Sequence, residues 1–234
     1  MRPQGLKMRS IVLALAIVCV AGAARAQIVY SFEDGTIDGF FGVGATTTED
    51  TIGATEGTKS MKYAANPDDG FVGARTQTVI PAALNDPPGV TAVLFDMTIV
   101  DRYAGGFADI GVTVFGDALN APGGPQLGLQ VQFGGPGGTV RIAGEPAGTY
   151  LNEQISLNVS MGPYRPGESF NDIFGPGDND LTQASAFQFF ISKNVGIPVT
   201  VYIDNVRLIP EPVALSLMGI GAMALASARV QRVD

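Results

Sequence analysis

The sequence VYIDNVRL, residues 201–208, lies near the C-terminal end of the chain and has the composition of a β-strand. Its β-branched and aromatic residues are the types enriched in strands, and we predict a strand over 199–208. The same composition recurs in short stretches separated by Gly, Pro, Asn and Asp, which favour turns. The other predicted strands cover 28–32, 59–64, 71–80, 91–100, 110–115, 127–133, 139–143, 154–161 and 186–192.

Short strands at this spacing, with turn signals between them, predict an all-β sandwich or barrel. No stretch of the body keeps a 3.6-residue apolar period, so we expect almost no helix. Residues 163–183 form the one long irregular stretch, and it contains Phe170, Ile173 and Phe174. A loop of this length is usually either functional or held down by its own apolar residues. The three apolar side chains favour the second explanation.

The charge of the chain is distributed unevenly. The formal net charge is −8 over all 234 residues. Residues 27–209 alone hold 20 acidic and 8 basic residues, a balance of −12. An acidic body argues against nucleic-acid binding, which needs Lys and Arg to replace phosphate counterions. The single cysteine, Cys19, lies in the N-terminal leader, so we expect no disulfide in the body.

Residues 1–26 have the three parts of a secretory signal peptide. Basic residues precede the apolar run 11–20, and small residues with Ala24 and Ala26 follow it. An A-x-A sequence at this place is typical of a cleavage site. We expect signal peptidase to cut before Gln27, so that the body is exported.

The C-terminal segment, 209–234, combines a short motif with an apolar run. Pro210, Glu211 and Pro212 precede sixteen uncharged residues, 213–228, and then Arg229 and Arg232. A helix of sixteen residues reaches about 24 Å, which is short of a hydrocarbon core of about 30 Å. This combination resembles the PEP-CTERM sorting signal of Gram-negative bacteria. The resemblance implies transient membrane insertion, processing by an exosortase, and delivery to the outer surface or the extracellular matrix.

The body, 27–208, carries a second resemblance. Residues 30–35 (YSFEDG), residues 57–62 (GTKSMK) and the strand at 201–208 resemble jelly-roll carbohydrate-binding modules of the galactose-binding-like group. The resemblance implies an antiparallel jelly-roll β-sandwich. It also implies a structural Ca²⁺ held by Glu33 and Asp204, with backbone carbonyls near Lys59 completing the shell. The alternative is that Glu33 is a solvated strand end and that Asp204 caps a turn through Asn205.

The chain offers little for catalysis. It has no histidine, which excludes Ser-His-Asp and Cys-His catalysis and the usual zinc sites. It has no nucleotide-binding glycine motif ahead of a helix. Carboxylate pairs, which glycoside hydrolysis needs, arise by chance among so many acidic residues. We therefore assign no catalytic residue and expect that the protein is not an enzyme.

Sugar binding follows from the resemblance, but the composition is less favourable to it. Sugar-binding surfaces stack the apolar faces of sugars on aromatic rings, and this chain has no Trp. Four aromatic residues in or beside expected loops either bind sugar or fill the edge of the core: Tyr103, Phe107, Tyr150 and Tyr164. No ligand-binding residue is assigned from the sequence.

We therefore expect an exported, non-catalytic β-sandwich with a structural or adhesive role at the cell surface or in the matrix. Its expected partners are polysaccharide or matrix proteins. The first alternative is a carbohydrate-binding module that recognises surface or environmental polysaccharide. The second is an accessory domain of a glycoside hydrolase or lyase.

Overall fold

A computed structural model describes residues 27–78, 80–81, 84, 90–118, 127–133, 139–161, 166–174 and 181–210. This part of the chain contains twelve strands and one short helix. The strands are β1 Gln27–Tyr30, β2 Phe41–Val43, β3 Ala45–Asp50, β4 Ser60–Ala65, β5 Phe71–Thr76, β6 Val90–Ile99, β7 Ala108–Ala118, β8 Leu127–Phe133, β9 Val140–Arg141, β10 Gly148–Ser156, β11 Leu181–Lys193 and β12 Val199–Pro210. The helix is α1, Phe170–Phe174.

The strands form two sheets, and every pairing is antiparallel. The first sheet has the order β10-β6-β12-β4-β3, with β1 paired to β12. The second has the order β2-β5-β11-β7-β8, with β9 paired to β7. Long strands that follow each other in sequence, such as β6 and β7 or β11 and β12, lie in different sheets. The predicted antiparallel jelly-roll sandwich is therefore confirmed.

The core lies between the sheets because alternate residues of each strand point inward. Phe95 of the first sheet meets Phe189 of the second, with ring centroids 5.3 Å apart. Tyr30 packs against Phe40 and Phe187 on the same layer. All five residues are buried, and burial of aromatic side chains of this size is a main source of stability in a fold without disulfides.

Three elements were not predicted, and one strand is displaced: the strand predicted over 154–161 is β10, Gly148–Ser156. β2 and β3 were not predicted, because β3 has the polar sequence ATTTED and lies at an edge of the first sheet with two of its six side chains exposed. The helix α1 lies inside the stretch predicted to be irregular. Phe170 and Ile173 of this helix are buried in the core, so the segment is held down by its apolar residues as expected.

The ends of the chain fall mostly outside the described residues. The predicted signal peptide, with Ala24 and Ala26, lies outside the described residues. So does the sorting segment from Glu211 through Pro212 to Arg229 and Arg232. Pro210 is described, and it ends β12 opposite Val90 of β6. No helix among the described residues is long and apolar enough to cross a membrane.

Two bulges in the first sheet lie on either side of β6. The register of β10 shifts between Tyr150 and Glu153, and that of β12 shifts between Asp204 and Arg207. Asn152 and Asn205 occupy these bulges in the left-handed conformation, with φ of 60° and 50°. Asparagine tolerates this conformation better than most residues. Both bulges turn polar groups toward the middle of β6.

Candidate functional site

The outer face of the second sheet carries a row of polar side chains. On β5, β11 and β7 most inward positions are apolar and belong to the core, with Thr76 and Lys193 as buried polar exceptions. At the outward positions the strand register places four polar residues side by side across the sheet. We call these the polar row: Arg75 of β5, Gln188 of β11, Thr113 of β7 and Gln132 of β8.

Arg75 and Gln188 are joined directly. The Nε–H of Arg75 donates to Oε1 of Gln188 at 2.8 Å. The Arg75 guanidinium also lies 4.1 Å from the ring centroid of Phe115, which belongs to β7 on the other side of β11. The two side chains meet above β11, where Ala186, the register partner of Phe115, takes little room. A cation over an aromatic ring adds about 0.5–2 kcal/mol, so this contact helps to hold the guanidinium over the Phe115 ring.

Two glycines let the side chains of β11 lie flat. A Cβ at Gly73 would stand 2.5 Å from Cδ of Gln188, and one at Gly111 would overlap the ring of Phe190. Gln188 therefore leans over β5, and Phe190 leans over β7. Both side chains are buried, which fixes their positions. A rigid floor of this kind loses little conformational entropy when a ligand binds.

Two exposed aromatic rings lie on the β5 side of this face. Phe41 of β2 is the register partner of Arg75 and is 42% exposed. Phe71 lies four residues from Arg75 on β5, about 14 Å along the strand, and level with Asp109, since Ser192 is the register partner of both. Phe71 is 44% exposed and stacks on Phe190 at 5.0 Å between ring centroids. Large apolar side chains left in water beside ordered polar groups are typical of a binding surface.

Thr113 is the unusual member of the row. Its side chain is fully buried, yet among the described residues its Oγ1 has no hydrogen-bond partner. An unmade hydrogen bond at a buried hydroxyl costs about 1–3 kcal/mol. Thr113 lies between Gln188 and Gln132 in the row, but its hydroxyl is enclosed and not accessible from outside.

An acidic residue and a basic residue lie at the other end of the same face. Asp109 of β7 and Arg141 of β9 are register partners. Burial raises the pKa of Asp109, and the charge of Arg141 opposes that rise. Asp109 is four residues from Thr113 on β7, which corresponds to about 14 Å along the strand.

The residues predicted to bind Ca²⁺ lie by the first sheet: Asp204 is in β12, and Glu33 follows β1. Their carboxylates bind the same loop. Glu33 Oε1 accepts the backbone N–H groups of Thr58 and Lys59 at 2.8 and 2.7 Å. Asp204 Oδ2 accepts those of Thr55 and Glu56 at 2.6 and 2.9 Å. Residues 51–59, which connect β3 to β4, are thus held by both carboxylates.

The donor chemistry of this region fits calcium in part. Carboxylate and carbonyl oxygens are the ligands that Ca²⁺ prefers. Two buried oxygens without a hydrogen-bond partner among the described residues, Glu56 Oε2 and Asn205 Oδ1, belong to residues that contact Asp204. Within the described ranges, however, no group of three or more His, Cys, Asp or Glu side chains is arranged to hold a metal. Calcium at Glu33 and Asp204 stays a prediction.

Asp204 also caps its own bulge. Its Oδ1 accepts the backbone N–H of Asn205 at 2.7 Å, which is the alternative role considered for it. Glu33, by contrast, is exposed but ordered by its contacts with the loop. Its pKa is lowered, first by the N–H of Lys59 and then, against the opposing effect of desolvation, by the N–H and hydroxyl of Thr58.

Sequence analysis did not find Asp96, a carboxylate of the first sheet that accepts four hydrogen bonds, as many as Asp204. Its oxygens accept from the backbone N–H of Asn152 at 2.8 Å, from Thr55 Oγ1 at 2.6 Å and from Asn205 Nδ2 at 3.1 Å. Arg207 lies 3.4 Å away as its ionic partner. The available signal was a single aspartate inside the otherwise apolar strand 91–100.

The four candidate aromatic residues do not form one site. The hydroxyl of Tyr103 bonds the backbone of Thr200 in both directions, at 2.8 and 2.7 Å. The hydroxyl of Tyr150 donates to the carbonyl of Pro146. Phe107 is partly exposed just before β7, and Tyr164 lies outside the described residues. Tyr103 and Tyr150 therefore hold local structure.

No family model matches the chain, and no curated protein matches it. Solved structures do. The family 11 carbohydrate-binding module of the cellulase Lic26A-Cel5E of Clostridium thermocellum is 16% identical, with 81% of this chain and 96% of that chain covered and a TM-score of 0.48. The CBM22-1 xylan-binding domain of Paenibacillus barcinonensis Xyn10C is 15% identical, with 81% and 99% covered and a TM-score of 0.45. An exo-β-agarase is 15% identical, with 79% of this chain and 25% of that chain covered and a TM-score of 0.45. The chain is similar to these proteins in fold.

Proposed function

We propose that this protein is a non-catalytic carbohydrate-binding module that binds polysaccharide on the outer face of its second sheet. The observation that carries the proposal is the polar row, Arg75, Gln188, Thr113 and Gln132, with the exposed ring of Phe41 beside Arg75 and that of Phe71 farther along β5 on the same face. The face therefore supplies the aromatic surface that the lack of Trp had made doubtful.

The chemistry of the row suits a sugar chain. Sugar hydroxyls both donate and accept hydrogen bonds, while the C–H faces of the rings are apolar. Arg75 and Gln132 are the partly exposed members of the row: Gln132 can donate and accept, and Arg75 offers N–H groups beyond the one used by Gln188. Phe41 supplies an apolar ring face beside Arg75, and Phe71 supplies another farther along β5, as an amphipathic ligand requires.

A non-catalytic role is part of the proposal. Glycoside hydrolysis uses two carboxyl groups about 5–10 Å apart. The carboxylate described among the outward side chains of the second sheet is that of Asp109, the register partner of Arg141. If the protein is instead an accessory domain of a hydrolase or lyase, we expect sugar to be released by the purified protein or by a larger assembly that contains it.

Export and sorting are part of the proposal. They are supported by the signal-peptide pattern with Ala24 and Ala26 and by the sorting pattern with Pro210, Glu211 and Pro212. Processing by signal peptidase and an exosortase would deliver the module to the cell surface or the extracellular matrix. Mass spectrometry of the exported protein tests this: a mature chain that begins at residue 1 or retains residues 213–234 contradicts it.

A structural or adhesive role is the second candidate. It is favoured by the edge strand β10 and the residues after it, where Leu151, Val159 and Met161 are exposed. An exposed apolar edge strand is suited to contact with another protein.

A glycan array probed with the purified chain separates the two functions. Reproducible binding to one class of sugar, lost on substitution of Gln188 by Ala, supports the carbohydrate-binding module. The absence of binding to every glycan, with self-association or capture by matrix protein, supports the structural role.

A further inference from the structure

We infer that the polysaccharide bound by the polar row is acidic and that Arg75 binds an oxyanion on its sugar rings. This inference rests on the proposed function and names the class of ligand. It would make Arg75 a residue that determines specificity, because a neutral sugar chain lacks the charge that Arg75 is placed to receive.

The first observation is that Arg75 has no acidic partner among the described residues. Two other described cations have an acidic partner: Lys59 pairs with Glu49, and Arg207 pairs with Asp96. Lys193, which is buried, donates to the carbonyl of Pro67. Arg75 has a neutral amide at its Nε–H and an aromatic ring beneath it. Its terminal amino groups remain available to a ligand.

The second observation is that Arg75 is partly removed from water. Burial lowers the pKa of its guanidinium, since desolvation disfavours the charged form and no nearby carboxylate offsets it. Partly desolvated charges are normally paired. A ligand that brings an oxyanion relieves this cost, whereas a neutral sugar relieves it less.

The third observation is geometric. Contact with Phe115 and the bond to Gln188 fix the position of the guanidinium over the sheet. A planar, fixed guanidinium matches an oxyanion through two parallel N–H···O bonds, which are about twice as strong as neutral hydrogen bonds.

The acidic body does not prevent this contact. On this face the described carboxylate is Asp109, about 14 Å along β7 from the polar row and beside Arg141. Charges separated by more than about 8 Å are largely screened at physiological ionic strength. The negative charge of the body therefore slows the approach of an acidic chain more than it weakens its bound state.

The test uses matched polysaccharides and the full chain. Polygalacturonate, alginate and glucuronoxylan are each compared with the same preparation after reduction of its carboxyl groups, and a sulfated galactan is compared with its desulfated form. The proteins are the unmutated chain, Arg75→Gln, Arg75→Lys, and Arg102→Gln as the control. Arg102→Gln removes the same charge as Arg75→Gln. Arg102 is a suitable control because it is exposed and lies outside the strands of the second sheet.

We expect at least one acidic polysaccharide to bind about tenfold or more tightly than its neutralised form. Arg75→Gln should abolish this preference, Arg75→Lys should restore part of it, and Arg102→Gln should leave it unchanged. Preference for a uronate identifies a carboxylate as the anion, and preference for the galactan identifies a sulfate.

Two results overturn the inference in distinguishable ways. Equal binding of an acidic polysaccharide and its neutralised form shows a carbohydrate-binding module without anion recognition. Binding of no polysaccharide, acidic or neutral, overturns the proposed function as well. If Arg75→Gln does not fold, the comparison of acidic and neutralised ligands on the unmutated chain and on Arg75→Lys decides.

Discussion

Asp96 and Asp204 are register partners on neighbouring strands of the first sheet, and one hydroxyl bridges their carboxylates. Thr55 Oγ1 lies 2.6 Å from Oδ2 of Asp96 and 3.1 Å from Oδ2 of Asp204. Both side chains are buried. Like charges directly opposite each other destabilise a sheet, so the donors of Thr55 and of Arg207 offset a repulsion at the centre of the sheet.

We expect Thr55→Ala to lower the free energy of unfolding by about 2 kcal/mol, because it removes a donor shared by two buried carboxylates. Urea denaturation at pH 7 measures this. Thr58→Ala is the control, since Thr58 Oγ1 donates to Glu33 at 3.2 Å in an exposed part of the same loop. We expect less than about 0.5 kcal/mol there. Equal losses in the two variants would show that Thr55 does not act through the aspartate pair.

Gly73→Ala and Gly111→Ala should differ in effect. At Gly111 a Cβ meets the Phe190 ring and, at 2.9 Å, the carbonyl oxygen of Phe133, so we expect a loss of about 1–3 kcal/mol of stability. At Gly73 a Cβ meets the end of the flexible Gln188 side chain. There we expect a smaller loss of stability and an affinity for glycan about fivefold weaker, equivalent to one lost hydrogen bond of about 1 kcal/mol.

Gly148→Ala is the control for both glycine variants, since no atom lies within 4 Å of a Cβ at that position. Thermal melts and glycan affinity should be unchanged. The interpretation of Gly73 is wrong if Gly73→Ala keeps full affinity.

Phe71→Ala should weaken glycan binding by up to about tenfold, because stacking on an aromatic ring contributes about 0.5–1.5 kcal/mol. Isothermal titration calorimetry with a glycan from the array measures the change. Leu151→Ala removes a side chain of even greater exposure, 59%, from β10 of the other sheet and should have no effect. A comparable loss in both variants would place the ligand elsewhere.

Calcium at Glu33 and Asp204 predicts a lower melting temperature in the presence of chelator. Binding to the folded state alone stabilises it by mass action, so removal of the ion shifts the midpoint down. Glu33→Gln and Asp204→Asn should abolish the difference between calcium and chelator. An unchanged midpoint for the unmutated chain counts against both residues as ligands.

The lowered pKa of Glu33 predicts a pH dependence of stability. A carboxyl whose pKa is lower in the folded state contributes fully above its unfolded pKa, about 4.3, and loses the contribution as pH falls through the folded pKa. In chelator, the difference in unfolding free energy between the unmutated chain and Glu33→Gln should therefore be constant above about pH 5 and shrink below pH 4. Urea denaturation from pH 7 to pH 3 measures it. A difference independent of pH would contradict the role assigned to the amides of Lys59 and Thr58.

Local sequence was sufficient for most of the strands. The strand predicted over 127–133 is β8, Leu127–Phe133, and the prediction of 199–208 falls within β12. These strands alternate or concentrate apolar residues, so their burial is visible in the sequence. β3 was missed because an edge strand with polar side chains is held by its pairing with β4 and not by its own composition.

The candidate sites were less accessible to sequence analysis. Glu33 and Asp204 were singled out through a resemblance, and the structure brings both to one loop. The polar row was not predicted, because a single outward polar residue on a strand is ordinary. Its meaning comes from pairing between residues as distant as Arg75 and Gln188.

The sequence by itself determined that this protein is an acidic β-sandwich without disulfides, since alternation, turn residues and charge are local or additive properties. The tertiary structure decided which outward side chains share a face. VYIDNVRL at 201–208 lies in the central strand β12. Its Asp204 lies opposite Asp96 because of strand register, and it accepts a hydrogen bond from Thr55 because of loop packing. The ligand face likewise arises from the register of β5, β11, β7 and β8, because only pairing across the sheet aligns residues that are remote in sequence.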